Sequence, residues 1–495
     1  MTVFKPSIGK NIIETLTMGM YDDPRFIFRE YIQNSADQID QARRAKLYKQ
    51  QQSGEIKIVI EKDKKLIVFE DDATGIKAKE AQSLLGNVAQ STKDKYKDKG
   101  FRGIGRLGGL AYCNKLTFET SYTGEETKSI MVWDAKQLRK VIDNPKLKIE
   151  ASALISAITD FSSTNEKSEA HYFKVIMEGV KSDELLDLIK VKEYLSMVAP
   201  VPLPKSFSFT KKIYERALKE RVVLDEYSIL LNDEILNKAY KDILYNKDGT
   251  EFDKIIDVDF FKSELTPKSL LYWGWYGISE KMQQIPMENN ERFLRLRKAN
   301  IQIGLKDQLN EFHKEHTGNS HFIGEVHALS SELIPNARRD FFIDSPTTTI
   351  FKQKLKDFFH TTLHKFFYDF AKKNSSLKIL EEAEKPIQAN NGRSPQEEIK
   401  ATQRIEKAKK DLNQLYKKHE QTALGKVIKE KAPSHVTDGN QGSFQKSTAL
   451  KANNSTSSKL STNDNRLVSR IFTVIRQNLT QKAADDLISK IEKIL

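Results

Sequence analysis

The sequence has a single cysteine, Cys113, among its 495 residues. One thiol excludes a disulfide scaffold and a thiolate zinc site, and it fits a reducing compartment. Apolar runs are short, and none approaches the roughly 20 residues that a membrane-spanning helix needs. The opening stretch MTVFKPSIGKNIIETL lacks the apolar core of a secretion signal, so a soluble, cytoplasmic protein with no membrane partner is expected. Proline is scarce as well, 13 in all, and three of them fall within VAPVPLPKSF (198–207). The excess of one charge sign is modest, because 81 Lys and Arg face 68 Asp and Glu, leaving +13. That balance permits contact with nucleic acid or another polyanion without demonstrating it. What the chain does have is bulk. With 38% hydrophobic and 30% charged residues it can bury a sizeable core under a wet surface. At roughly 150 residues per domain, its length corresponds to about three domains.

Patterning divides the chain. Residues 20–46 read as a helix, with Asp23 as its cap and Pro24 in its first turn. After Ser53-Gly54 the period becomes two in EIKIVIE and KLIVFED, a β-hairpin with one buried face. Further strands are expected at KLTFETS, SIMVWDA and HYFKVIME. This order predicts an α+β fold, with helices laid on one face of a mixed sheet over residues 1–200. The proline-rich link leads into a second α/β domain at 208–345, with strands YSILLN, SLLYWGWYG and LRLRKANIQIG. A helical region follows at 350–431. A polar segment poor in apolar residues at 432–465 reads as a disordered linker, and an amphipathic helix at 466–495 closes the sequence.

Three short pieces carry chemistry. In RFIFREYIQNSAD, Glu30, Asn34 and Asp37 stand at i, i+4 and i+7, within roughly 40° of one another on a helix. Such a row can hold magnesium through Asn34 and a water through Glu30, although a polar row is most often a solvated helix face. In LIVFEDDATGI a strand runs into Asp71 and Asp72 and ends at Gly75; a carboxylate there can accept from an exocyclic amine. The ordinary reading of that piece is a plain turn. In GFRGIGRLGGLAY, Gly100, Gly103 and Gly105 flank Ile104 and precede a helix-forming run, a pattern that brings backbone N–H groups toward phosphate oxygens. It lacks the G-K-[ST] of a P-loop.

In this order and spacing the three pieces resemble the Bergerat nucleotide-binding fold of the GHKL ATPases, above all the ninety-kilodalton heat-shock chaperones. REYIQNSAD resembles their N-box helix, and LGNVAQST (85–92) resembles their segment after the adenine motif. The resemblance implies a two-layer α/β ATP-binding domain, a transducer-like middle domain, and ATP with Mg²⁺ as cofactors. By the same resemblance Glu30 is the general base and Asn34 the magnesium ligand. Asp37 supports the ribose or adenine side, and Asp71, counted back from Gly75, accepts from the adenine amine. Gly100, Gly103, Ile104 and Gly105 form the phosphate loop. Two departures are visible: Ala73 stands where the family has its first glycine, and the Gly-Thr pair of a late strand is replaced near HYFKV.

LIPNARRD (333–340) resembles the arginine-bearing motif of the chaperones' middle domain, with Arg339 on the arginine that reaches the γ-phosphate and Asn336 beside it. A plain surface turn is the alternative. The implied activity is ATP hydrolysis coupled to closure of a homodimer acting on a client protein. The competing reading is an ATP-gated DNA clamp like the Microrchidia and mismatch-repair ATPases, compatible with the lysine-rich IEKAKKDLNQLYKK. Beyond about residue 345 the chaperone pattern ends. Lys93, Lys95, Lys97 and Lys99 read as a solvated loop, His321, His327, His360 and His364 as surface or packed histidines, and Trp273 and Trp275 as a core strand with one exposed face.

Overall fold

The computed structural model describes residues 7–17, 19, 23–48, 54–90, 103–267, 269–384, 395–433 and 487–488. Two units are distinguished, 1–439 and 440–495. Leu487 and Ile488 are the described residues of the second unit, both helical. Gly100, the lysine run 93–99, the linker from 434 onward and the rest of the terminal helix lie outside the described residues.

Helix α1 (Asn11–Thr17) is followed by α2 (Phe26–Arg44), which starts later than the pattern predicts. Asp23 accepts from the Arg25 backbone N–H at 2.9 Å, and its carbonyl accepts from Phe26 N–H. Asp23 therefore closes the turn before the helix, and Pro24 precedes the first helical residue. Ile27, Phe28, Tyr31, Ile32, Ala36 and Ile39 are buried against the sheet. Arg43 and Arg44 in the last turn complement the carbonyl end.

The first sheet starts with the hairpin β1 (Glu55–Glu61) and β2 (Leu66–Asp71). Strand parity sends Ile67, Phe69 and Asp71 to the buried face, and Leu66, Val68 and Glu70 to the wetter one. After α3 (Ala78–Gly86) and a 3-10 segment (Gly105–Ala111) come β3 (Lys115–Ser121), β4 (Thr127–Asp134), α4 (Ala135–Ile142), α5 (Ala151–Ile158), β5 (Thr159–Asn165) and β6 (Tyr172–Glu178). The expected strands are present, while α4, α5 and β5 had not been anticipated. Three helices, α6 (Asp183–Leu186), α7 (Leu188–Val198) and α8 (Thr210–Lys219), lead to β7 (Ser228–Leu231) and β8 (Glu234–Ile235). The strand order is β5-β4-β3-β6-β2-β1-β7-β8, antiparallel throughout except that β7 runs parallel to β1. YSILLN, read as part of the second domain, thus extends the first sheet. Ile229 and Leu231 continue the buried row begun by Ile56 and Ile58, and removing that apolar surface from water holds the strand there.

The second sheet is built from β9 (Ile243–Tyr245), β10 (Glu251–Thr266), β11 (Ser269–Ser279), β12 (Phe293–Lys298), β13 (Ile301–Gln302) and β14 (Ile323–Ala328), ordered β13-β12-β14-β11-β10-β9. Both of its faces are covered. One packs on α9 (Pro346–Phe358), α10 (His364–Glu384), α11 (Pro395–His419) and α12 (Ala423–Lys431) through Tyr272, Tyr276, Phe351, Phe359, Leu412 and Leu424. The other meets Met197, Phe207 and Tyr240. Trp273 and Trp275 are accordingly both buried, not half-exposed. The four C-terminal helices share the core of this sheet. A turn of π-helix, Phe359–Leu363, joins α9 to α10. Around it His321 packs on Phe367 and His364 on Tyr368, whereas His327 faces Glu325 at 2.9 Å on β14.

A buried polar network ties the second sheet to the end of α7. Arg297 pairs with Glu325 at 2.6 Å and donates to the Met197 carbonyl at 2.6 Å; Lys238 donates to the Ala199 carbonyl at 2.6 Å. Paired charges of this kind add little net stability, but removing one partner leaves the other buried and unpaired.

Candidate active site

Helix α2 lays its polar row over the end of β2. Glu30 is 7% exposed, and it faces the glycine turn: a Cβ placed on Gly105 would lie 2.4 Å from Glu30 Oε2. No side chain fits there, so the glycine lets the carboxylate approach the backbone. Gly103 has a positive φ of 71°, which the same turn requires. Ile104 between them is nearly buried. Asn34, one helical turn from Glu30, is half-buried, and its side chain has no hydrogen-bond partner among the described residues. Asp37, a turn further on, is buried.

Asp71 closes the floor. Its side chain is 1% exposed, Oδ1 accepts from Ala73 N–H at 3.2 Å, and Oδ2 has no partner. Burial pushes its pKa up to about 7, against hydrogen bonds from Ser35 and Ala73 that favour the charged form. Asp72 is occupied differently, accepting from Glu55 N–H at 2.8 Å and from the Tyr48 hydroxyl at 3.2 Å. Both of those bonds fall on Asp72 Oδ1, and Asp72 is only half-buried, so the buried open acceptor is that of the first aspartate. The following turn is pinned by His171, whose Nδ1 lies 2.9 Å from the Asp72 carbonyl and 3.0 Å from that of Ala73. Carbonyls only accept, so Nδ1 carries the proton. Gly75, with φ of 67°, turns the chain where a Cβ would meet the Ser121 carbonyl.

The HYFKV segment, near which the Gly-Thr pair was expected, forms the start of β6, next to β2. Phe173 stands directly across from Asp71 on one side and Thr120 on the other, and its ring stacks on Phe118 at 5.9 Å. The Thr120 hydroxyl is spent on the Tyr172 carbonyl and Ile76 N–H. The wall beside Asp71 is thus aromatic where the resemblance implied a hydroxyl.

The loop 334–343 comes back over α2. Arg339 is buried, its Nε 3.2 Å from Glu30 Oε1, and its backbone sits in the left-handed region at φ of 56°. An arginine has no steric licence for that conformation, so the surrounding contacts hold it there: its N–H donates to the Asn336 carbonyl and its carbonyl accepts from Gly304 N–H. Asn336 itself donates to Asp340. Arg29 adds a second bridge, donating to the Arg338 carbonyl at 3.4 Å, with its Nε 3.9 Å from Glu30.

The sequence reading passed over four further polar side chains. Arg29 Nε, both amide atoms of Gln33 and the Tyr194 hydroxyl are buried without hydrogen-bond partners among the described residues, and so is Arg106 Nε. Arg29 and Gln33 lie on α2 itself, yet their amphipathic positions gave no sign of burial, because the covering surface comes from distant segments.

Residues 25–166 match the family described as histidine kinase-, DNA gyrase B-, and HSP90-like ATPase. The N-terminal region is a GHKL-type ATP-binding domain. Similar proteins include the chaperone protein HtpG of Buchnera aphidicola subsp. Cinara cedri, 25% identical over 204 residues covering 37% of this chain and 32% of that protein. The chaperone protein HtpG of Psychrobacter cryohalolentis is 22% identical over 274 residues, 51% of this chain and 38% of its own length. That of Escherichia coli O1:K1 is 24% identical over 143 residues, 26% and 23% respectively. The chain thus spans between about a quarter and two-fifths of the curated relatives it matches. Within that limit the GHKL domain is similar to that of the HtpG chaperones. No helix among the described residues is long and apolar enough to cross a membrane.

Proposed function

We propose that the chain binds Mg·ATP and hydrolyses it to ADP and phosphate, as a cytoplasmic, chaperone-like GHKL ATPase whose turnover depends on the loop carrying Arg339. The observation that carries this reading is the contact between Glu30 and Arg339 beside Gly105. A carboxylate held against a backbone that leaves room for phosphate is suited to orient a water and accept its proton. An arginine brought from a separate part of the chain neutralises charge on the transferred phosphoryl group. It also makes hydrolysis conditional on the loop being docked.

Asp71, with one buried oxygen unspent, accepts from the adenine amine. Phe173 offers that base an apolar wall. Asp37 supports the ribose or adenine side. Gly103, Ile104 and Gly105 present backbone N–H groups to phosphate, with Gly100 as the outer member of the set. The donors fit magnesium: a half-buried amide oxygen at Asn34, without a side-chain hydrogen bond among the described residues, is the kind of single ligand that Mg²⁺ takes alongside substrate phosphates and water. When bound, the ion supplies positive charge shared between phosphate oxygens.

The likeness to proteins named chaperones supports a homodimer that closes on ATP and acts on an unfolded protein. One experiment tests the reading: phosphate release by the purified chain with Mg·ATP, alone, with an unfolded protein, and with duplex DNA at two salt concentrations. Turnover that requires magnesium, with suppressed aggregation of the unfolded protein, supports it. Stimulation by DNA that fades with salt would replace the client with a nucleic acid. Absence of nucleotide binding would end the reading altogether.

A further inference from the structure

Arg106 follows the Gly103-Ile104-Gly105 turn and opens the 3-10 segment. Its own carbonyl accepts from the Tyr31 hydroxyl at 3.0 Å, which fixes the residue to α2 next to Glu30. Its Nη2 donates to the carbonyl of Asn87, the residue just past α3. The Nε is buried and has no partner. Among the described residues no carboxylate lies within ion-pair distance of this guanidinium, since Glu30 is engaged by Arg339 and Arg29. Burial draws its pKa down to about 10 with no acid to offset the effect.

A desolvated cation whose protein contact is a neutral carbonyl is costly, and folded proteins keep such groups where an anion completes them. A leucine or phenylalanine would suit the same half-buried position at lower cost. The glycine turn does not require the charge either, because its backbone N–H groups are donors already. Among the described residues no acid completes this guanidinium, and its backbone continues directly from the Gly103-Ile104-Gly105 turn that lies against Glu30. We propose that Arg106 is a phosphate-binding residue beside this turn, its guanidinium fork taking the phosphate oxygens of a bound nucleotide. The assignment rests on the nucleotide reading above and deepens it: base and phosphates are read by separate groups, Asp71 at one end and Arg106 at the other. Arginine suits that task because its planar donors match paired phosphate oxygens.

The test is calorimetric titration of the full chain, with magnesium present, using ATP, ADP and adenosine on wild type, Arg106→Ala and Arg106→Lys. Arg106→Ala is expected to weaken ATP and ADP by roughly 10- to 100-fold, the range for a hydrogen bond to a charged group. Adenosine affinity should not move, and Arg106→Lys should recover part of the loss. Tripolyphosphate without a base should follow the ATP pattern at lower affinity. Thermal melting of each ligand-free variant confirms folding, and Arg106→Gln repeats the series should the alanine variant melt early. Equal ATP affinity in wild type and Arg106→Ala overturns the assignment alone. A parallel loss for ATP and adenosine overturns it too, by reducing the residue to a packing role through Asn87. A wild-type chain that binds neither ATP nor adenosine removes the nucleotide reading, and the assignment with it.

Discussion

Glu30 Oε1 and Arg339 Nε lie 3.2 Å apart, the first on a helix of the N-terminal sheet, the second on a loop that follows the second sheet. Both side chains are over nine-tenths buried, so the pair is more than a surface contact. It joins the base expected for hydrolysis to the cation expected on the phosphate, and it sets the order in which their removal should act.

Replacing Glu30 with alanine should leave ATP binding within a few-fold of wild type while lowering turnover by roughly 10²- to 10⁴-fold, the usual worth of a positioned base. Calorimetry and steady-state phosphate release measure the two separately. Turnover at the wild-type rate would take the base away from this residue.

Arg339→Ala should also spare binding, with a turnover loss of about 10²- to 10³-fold, as for removal of one charge-stabilising donor. Arg339→Lys should restore little, since a lysine at the same left-handed backbone position offers no fork. An alanine variant with normal turnover would mark Arg339 as a structural cation.

Gly105→Ala probes the closeness of the helix. The added methyl would sit 2.4 Å from Glu30 Oε2, so the carboxylate must move. Gly105 has no positive φ, and the fold should therefore survive. A displacement of about 1 Å at a reacting group costs on the order of 10²-fold in rate. Normal melting with a collapsed phosphate-release rate is the expected outcome; an unaffected rate would show that the carboxylate position is slack.

Asp71 predicts a pH dependence. Its folded pKa, near 7, lies above the ordinary 3.8, so protonation favours the folded form. The stabilising contribution is complete below about pH 4 and is lost as pH rises through about 7. Ligand-free wild type should accordingly melt at lower temperature at about pH 8 than at about pH 6, with Asp71→Asn showing less of that drop. Binding has the opposite sign, because an adenine amine needs the ionised acceptor: ATP affinity should fall as pH drops below about 7. Asp71→Asn should weaken ATP by roughly tenfold or more at neutral pH. Unchanged affinity would move the base contact elsewhere.

Local pattern was enough to find the helix of Glu30 and Asn34, the hairpin ending at Asp71 and the glycine turn, because each depends on periodicity or on a steric need within a few residues. The resemblance, counted back from Gly75, favoured Asp71 over Asp72, and strand parity distinguishes the two physically: only odd-numbered positions of β2 face the core. Other features could not be read this way. The start of α2 was placed too early because Asp23 caps a turn and not the helix. YSILLN looked like any short strand; its parallel pairing with β1 depends on which edge is open after the chain has folded back.

What the sequence determined by itself was the inventory and spacing of the site: a carboxylate and an amide one helical turn apart, an aspartate at a strand end, glycines where side chains would collide. Those follow from helix pitch, strand parity and the volume of a Cβ. Tertiary structure alone decided that Arg339 reaches Glu30, that Phe173 lines the floor beside Asp71, and that the half-buried Arg106 has no carboxylate partner among the described residues. Each of these is a matter of distance and desolvation between segments far apart in the chain, and no local periodicity encodes it.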